Sequence, residues 1–150
     1  MKLFAFVILL FSLSACSWQE YFVVKNSSDQ TIEINYTLNH TDGFHLFDEQ
    51  ARVFKLTKSQ KIDWEKQQTV QDLDSSSFKV KILLKSHEVV VFGSLNNDHY
   101  ENVNQSFING RVFNLDEILI KKGEEMTTIP RSKFDSFFRK KDGLISFEVN

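Results

Sequence analysis

Thr31-Ile32-Glu33-Ile34-Asn35-Tyr36-Thr37-Leu38 alternates polar and apolar residues over its whole length. Successive side chains of an extended chain point to opposite faces, so Ile32, Ile34, Tyr36 and Leu38 share one face and the polar residues share the other. This is the pattern of a half-buried strand, and it predicts Ile34 in the core. Phe78, Val80, Ile82 and Leu84 repeat it against Lys79, Lys81 and Leu83, and Val89 to Leu95 follows after a short Ser86-His87 connection. Tyr21 to Lys25 precedes the first stretch across Asn26-Ser27-Ser28-Asp29, a cluster whose side chains favour turns. That pair reads as a hairpin, or as a strand that crosses to a second sheet.

Asp42-Gly43 is a two-residue hairpin signal, because both positions must tolerate positive φ. It is expected to join strand 31–41 to the following segment. Further strands are expected at Arg111 to Leu115, Ile118 to Ile120, Met126 to Ile129 and Leu144 to Val149, with turns at Lys122-Gly123 and Asp142-Gly143. Gln60 to Asp74 reads as a strand with a long polar loop. One short helix is expected near 132–140, capped by Ser132, with Phe134, Phe137 and Phe138 at helical spacing before Arg139-Lys140-Lys141. Many short strands at this spacing predict an all-β fold, an antiparallel β-sandwich.

The chain opens with Met1-Lys2, then an apolar run from Leu3 to Leu13, then Ser14 and Ala15, which is the layout of an export signal. About twenty apolar residues are needed to cross a bilayer as a helix, so the run is too short for a permanent span. Leu13-Ser14-Ala15-Cys16 resembles the lipobox of bacterial lipoproteins, in which an aliphatic and two small residues precede an obligatory cysteine. The resemblance implies cleavage before Cys16, a diacylglycerol on its thiol, and a membrane as partner through that lipid. It divides the chain into a signal peptide 1–15, a short tether 16–20 and a single domain 21–150. Ser17 after the cysteine implies release to the outer membrane in a host with two membranes, and the outer face of the cell membrane otherwise. Val24-Lys25-Asn26-Ser27 before Ile32 and Ile34, and Lys122-Gly123-Glu124 before Ile129, resemble the immunoglobulin-like sandwiches of small bacterial lipoproteins.

Cys16 is the only cysteine in the chain. No internal disulfide can form, so the domain must be held by its core. Without residues 1–15, which contain one basic residue, the 18 basic side chains become 17 against 20 acidic ones, a formal charge of −3. Nothing in that balance favours nucleic acid as a partner. The 15 phenylalanines lack the polar tip of Tyr or Trp and are expected mostly to face inward. The sequons Asn26-Ser27-Ser28, Asn35-Tyr36-Thr37, Asn39-His40-Thr41 and Asn104-Gln105-Ser106 carry no meaning in a bacterial lipoprotein.

The sequence contains no Gly-rich phosphate loop, nucleophile elbow or His-Glu-x-x-His helix. Ser75-Ser76-Ser77 beside Asp72 and Asp74 reads as a loop. Asp116-Glu117 and Glu124-Glu125 read as solvated surface, since adjacent strand residues point to opposite faces and cannot act together. Lys121-Lys122 and Arg139-Lys140-Lys141 read as solvated faces, with anionic headgroups as the alternative partner. A hairpin at Asp42-Gly43 would oppose His40 and His45 at about 5 Å between Cβ atoms, with Asp48, His87 or His99 as a remote third ligand. Two histidines do not complete a zinc site, and no metal is expected. The expectation is a non-enzymatic, membrane-tethered binding or assembly domain with an envelope protein as partner, without catalytic residues or cofactor. A ligand carrier with an apolar pocket between its sheets, or an envelope hydrolase, are the alternatives.

Overall fold

The alternating stretch forms β2 (Ile32–Leu38), in which every apolar residue is buried and every polar one is half-buried. A computed structural model describes residues 18–39, 42–68, 73–74, 78–101, 105, 107 and 110–150, with backbone alone at 48–50 and 73–74. β2 lies at the centre of a five-stranded sheet, antiparallel to β10 (Leu115–Lys122) on one side and β7 (Lys79–Leu84) on the other. β11 (Glu125–Pro130) and β6 (Leu73–Asp74) form its edges. A six-stranded sheet runs in the order β12 (Arg139–Lys141), β13 (Leu144–Val149), β1 (Gln19–Asn26), β8 (Glu88–Asn96), β4 (Phe47–Leu56) and β5 (Ile62–Gln68). The apolar faces of both sheets meet in one core, so the fold is an all-β sandwich. The pairing is antiparallel except for β1 with β13 and the short pair β3 (Phe44–His45) with β9 (Arg111–Val112), which are parallel.

Phenylalanine fills the space between the sheets. The Phe47 ring meets Phe113 edge-on at 4.8 Å, Phe22 edge-on at 5.1 Å and Phe92 in a stack at 5.3 Å. Edge-to-face and offset pairs of this kind add about 0.5–1.5 kcal/mol each beyond their buried area. The close approach of β8 to β4 needs a glycine, because a Cβ on Gly93 would lie 2.8 Å from Phe47 Cδ1. Ile34 is 1% exposed, as the alternation requires.

The six-stranded sheet is apolar on its other face too. Val23, Val89 and Val91 alternate with core residues and point away from the sandwich centre, yet they are buried with Phe54 and Ile62 in a second cluster. The cover comes from an irregularity in β5. Its register against β4 passes from Lys55↔Asp63 to Phe54↔Gln67, which leaves Trp64, Glu65 and Lys66 as an unpaired bulge. The Trp64 ring packs on Tyr21 at 4.6 Å and on Phe54 at 5.1 Å.

Several local expectations are corrected. Asp42-Gly43 does not close a hairpin: β2 ends at Leu38, and β3 pairs with β9 instead. The helix is shorter than expected. A 3-10 turn, Arg131–Lys133, leads into one α-helical turn, α1 (Phe134–Phe137). Ser132 lies inside the 3-10 turn, the N-cap position is Lys133 with no side-chain cap, and Arg139–Lys141 is strand β12. The helix is fixed by burial: Phe134 and Phe138 stack at 4.0 Å in the core. Ser86-His87 does turn the chain, with His87 at φ 56°, but it carries the chain from one sheet to the other. The turns at Lys122-Gly123 and Asp142-Gly143 form as expected. Within Gln60 to Asp74 lie β5 and β6.

Candidate functional site

β1 carries a buried polar side chain near each end, Glu20 at 4% exposure and Asn26 at 0%. Each gathers loops that the sequence keeps far apart. At the far end the Asn26 amide nitrogen donates to Gln30 O at 2.8 Å and to Leu84 O and Lys85 O at 3.0 Å. Its oxygen accepts from Ser28 Oγ at 2.7 Å. Two N–H hydrogens are thus shared by three carbonyls, of which Gln30 O also accepts from Ser28 Oγ at 3.3 Å and Lys85 O from the Glu88 N–H at 3.2 Å. His87 N–H also donates to Asn26 O, and Ser27 N–H to Val149 O, so three chain segments are tied together here.

At the near end Glu20 is the centre of a charged cluster. One oxygen, Oε1, lies 2.7 Å from Lys140 Nζ and 2.8 Å from His99 Nδ1, and the other accepts the Tyr100 backbone N–H at 2.9 Å. Lys140 Nζ also donates to Tyr100 O at 3.1 Å. The Tyr100 hydroxyl, in turn, donates to Asp135 Oδ1 at 2.6 Å. Burial alone pushes the Glu20 carboxyl up. Hydrogen bonds from Lys140, His99 and the Tyr100 N–H, with the charge of Lys140, outweigh it and hold the group below its ordinary range. Burial and the adjacent Asp135 carboxylate push the Tyr100 hydroxyl up, so it remains a protonated donor.

Trp18 closes this pole. Its ring stacks on His99 at 4.9 Å with an interplanar angle of 7°, and its indole N–H donates to Asp98 O at 3.2 Å. Trp18 and Glu20, read from the sequence as tether, therefore belong to the folded domain. A carboxylate and the histidine it orients are two of the three members of a catalytic triad. Here the carboxylate is also clamped by an ammonium and a backbone N–H, and one face of the imidazole is covered by an indole. The arrangement joins three segments of chain and holds its charges still.

Cys16 and the lipobox, His40, Thr41, Asp72, Ser75–Ser77 and Asn104 lie outside the described residues. His45 is paired along β3 with Val112 and His87 sits in the turn between β7 and β8, while the facing of His40 and His45 falls outside the described residues. Among the described residues no three His, Cys, Asp or Glu side chains come together to hold a metal ion. Asp116, Glu117, Glu124 and Glu125 are exposed, as a solvated surface requires. Sequence reading missed the pole as a unit, although it considered His99 and Lys140 singly. The available signal was Glu20, a carboxylate placed between Trp18 and the apolar run from Phe22 to Val24. Among the described residues no helix is long and apolar enough to cross a membrane. No protein-family model, curated protein or solved structure matches this chain.

Proposed function

We propose that the protein is a lipid-anchored, non-enzymatic binding domain of the bacterial envelope, tethered through Cys16 and engaging an envelope protein with the loops of its far pole. The observation that carries the anchor is the sequence Leu13-Ser14-Ala15-Cys16 after a short apolar run. One acyl chain binds a membrane only marginally, whereas two or three bind it firmly, so a cysteine acylated on both thiol and amine is a sufficient anchor.

The choice of loops over sheet edges follows from the edges themselves. β12 has three residues, all exposed and basic, β6 has two, β5 is interrupted by its bulge, and β11, the longest unbroken edge with six residues, ends on Pro130. Short, charged and bulged edges resist the addition of another strand. The loops at the far pole are instead held firmly by Asn26. The aromatic contacts between the sheets leave the ligand-carrier reading without support, since an apolar ligand there would have to displace packed rings.

Labelled fatty acid is expected to enter the wild-type protein and not Cys16→Ser, which is expected to accumulate as precursor. Equal labelling of both would overturn the anchor. Photo-crosslinkers at Lys58 and Glu124 in the far-pole turns are expected to capture an envelope protein in intact cells. Capture only from Glu65 on β5 or Thr128 on β11 would move the interface to the edges.

A further inference from the structure

We infer that the Glu20 pole is the face on which the domain rests on the membrane, with the Trp18 indole in the headgroup layer. The inference rests on the reading of Cys16 as the lipidated residue. Trp18 follows Cys16 by two residues, and at about 3.3–3.6 Å per residue the two Cα atoms are at most roughly 7 Å apart. An acylated Cys16 therefore brings the start of β1 to the lipid surface, with whatever is fixed beside it.

What is fixed there is an indole. Trp18 is held by its stack on His99 and its hydrogen bond to Asp98 O, and is still 46% exposed. A ring with a large apolar face and one polar N–H prefers the boundary between water and lipid. Glu20 anchors His99 and thereby sets the plane of the indole, so the ring meets the surface without further ordering. Charge contributes less. Lys140 is neutralised by Glu20, and Lys141 stands beside Asp142, so the pole offers little net attraction to anionic lipid. Contact is accordingly expected on neutral and anionic membranes alike.

Trp64, the other tryptophan of the chain, supplies an internal comparison. It packs on Tyr21, three residues further along β1, so it stands about 10 Å further along the strand axis from Trp18.

The test uses the mature, lipidated protein reconstituted into phosphatidylcholine vesicles whose acyl chains carry bromine near the headgroup. Trp64→Phe leaves Trp18 as the emitter, and Trp18→Phe leaves Trp64. Emission from Trp18 is expected to be strongly quenched and that from Trp64 weakly, with little change on adding phosphatidylglycerol or salt. An environment-sensitive dye at Asn96→Cys, beside Gln19, is expected to be quenched, and the same dye at Lys58→Cys to be unaffected. These labelled variants give the answer even if a tryptophan variant misfolds. Unquenched Trp18 in protein that carries its acyl chains by mass would overturn the membrane contact and leave the anchor standing. Stronger quenching of Trp64 than of Trp18 would overturn it in favour of the outer face of the six-stranded sheet. Protein without acyl chains would overturn both.

Discussion

Glu20 shows how much one side chain can organise when its neighbours outweigh the effect of burial. Its oxygens face Lys140, His99 and the Tyr100 N–H. Replacing Glu20 by Gln keeps the shape but removes the charge, and is expected to destabilise the domain by about 1–3 kcal/mol at neutral pH. The sign of the pH dependence follows from a carboxyl held below its ordinary value of 4.5 in the folded chain. Such a group stabilises the fold above its unfolded pKa, and the contribution disappears as pH falls through the lower, folded value. Urea unfolding of the wild type and Glu20→Gln should thus give a gap at neutral pH that closes in acid, and a gap independent of pH would show that the charge is not what matters. Asn26 gives the complementary case. Asn26→Ala removes the donor that the carbonyls of Gln30, Leu84 and Lys85 share; Gln30 O keeps Ser28 Oγ and Lys85 O keeps the Glu88 N–H, so the expected loss is about 1–3 kcal/mol in all. Asn26→Asp does more harm, because it turns a carboxylate oxygen toward those carbonyls. A thermal melt in which Asp is tolerated better than Ala would show that the far pole is not held by amide donation.

Among the elements, those with a clean period of two were legible in the sequence and those defined by long-range pairing were not. β2 and β7 follow the alternation, because each has one face in the core and one in water, except that Phe78, expected on the core face, lies in the turn before β7 at φ 54° and is exposed. β8 is buried on both faces and reads only as an apolar run, so its direction and partners carry no local signal. The Asp42-Gly43 turn failed for a related reason. The local preference was real, but the edges of β2 are already occupied by β10 and β7. The helix near 132 was recognised from its phenylalanines, and its length was overestimated because Arg139-Lys140-Lys141 is as compatible with an edge strand as with a helix end. The Glu20 pole was invisible for the same reason as the pairing: its members are brought together by tertiary structure, with Glu20 and His99 79 positions apart in the sequence. Gly93 tests the packing of β8 against β4. Gly93→Ala places a methyl carbon 2.8 Å from Phe47 Cδ1 and 3.0 Å from Leu46 O, where backbone as well as ring must move. Overpacking of this kind costs about 1–3 kcal/mol. Chemical denaturation should show that loss, and an unchanged midpoint would mean that the strands separate easily at this point.

For the whole molecule, β1 is the strut between the two poles. The six residue steps from Glu20 to Asn26, at about 3.3 Å each, set the Glu20 cluster and the Asn26 hub roughly 20 Å apart. It is paired along its length with β8 on one side and with β13 on the other. It contributes to the core on one face through Phe22 and Val24, and to the outer cluster on the other through Val23. No part of it can open without disturbing both clusters. β12 and the β3–β9 pair are different, since they are short and marginal to the core. Amide hydrogen exchange measures this contrast, because amides that need global unfolding exchange far more slowly than those released by local opening. The amides of Phe22, Val23 and Val24 are expected in the slowest class, with those of Arg139 to Lys141 and of Phe44 and His45 in a faster one. Added urea should then accelerate the β1 amides steeply, as exposure of the whole core demands, and the β12 amides weakly. If the β1 amides exchange as fast as those of β12, the strand is not a rigid strut, and a membrane contact at Trp18 could not fix the direction in which the far-pole loops are presented.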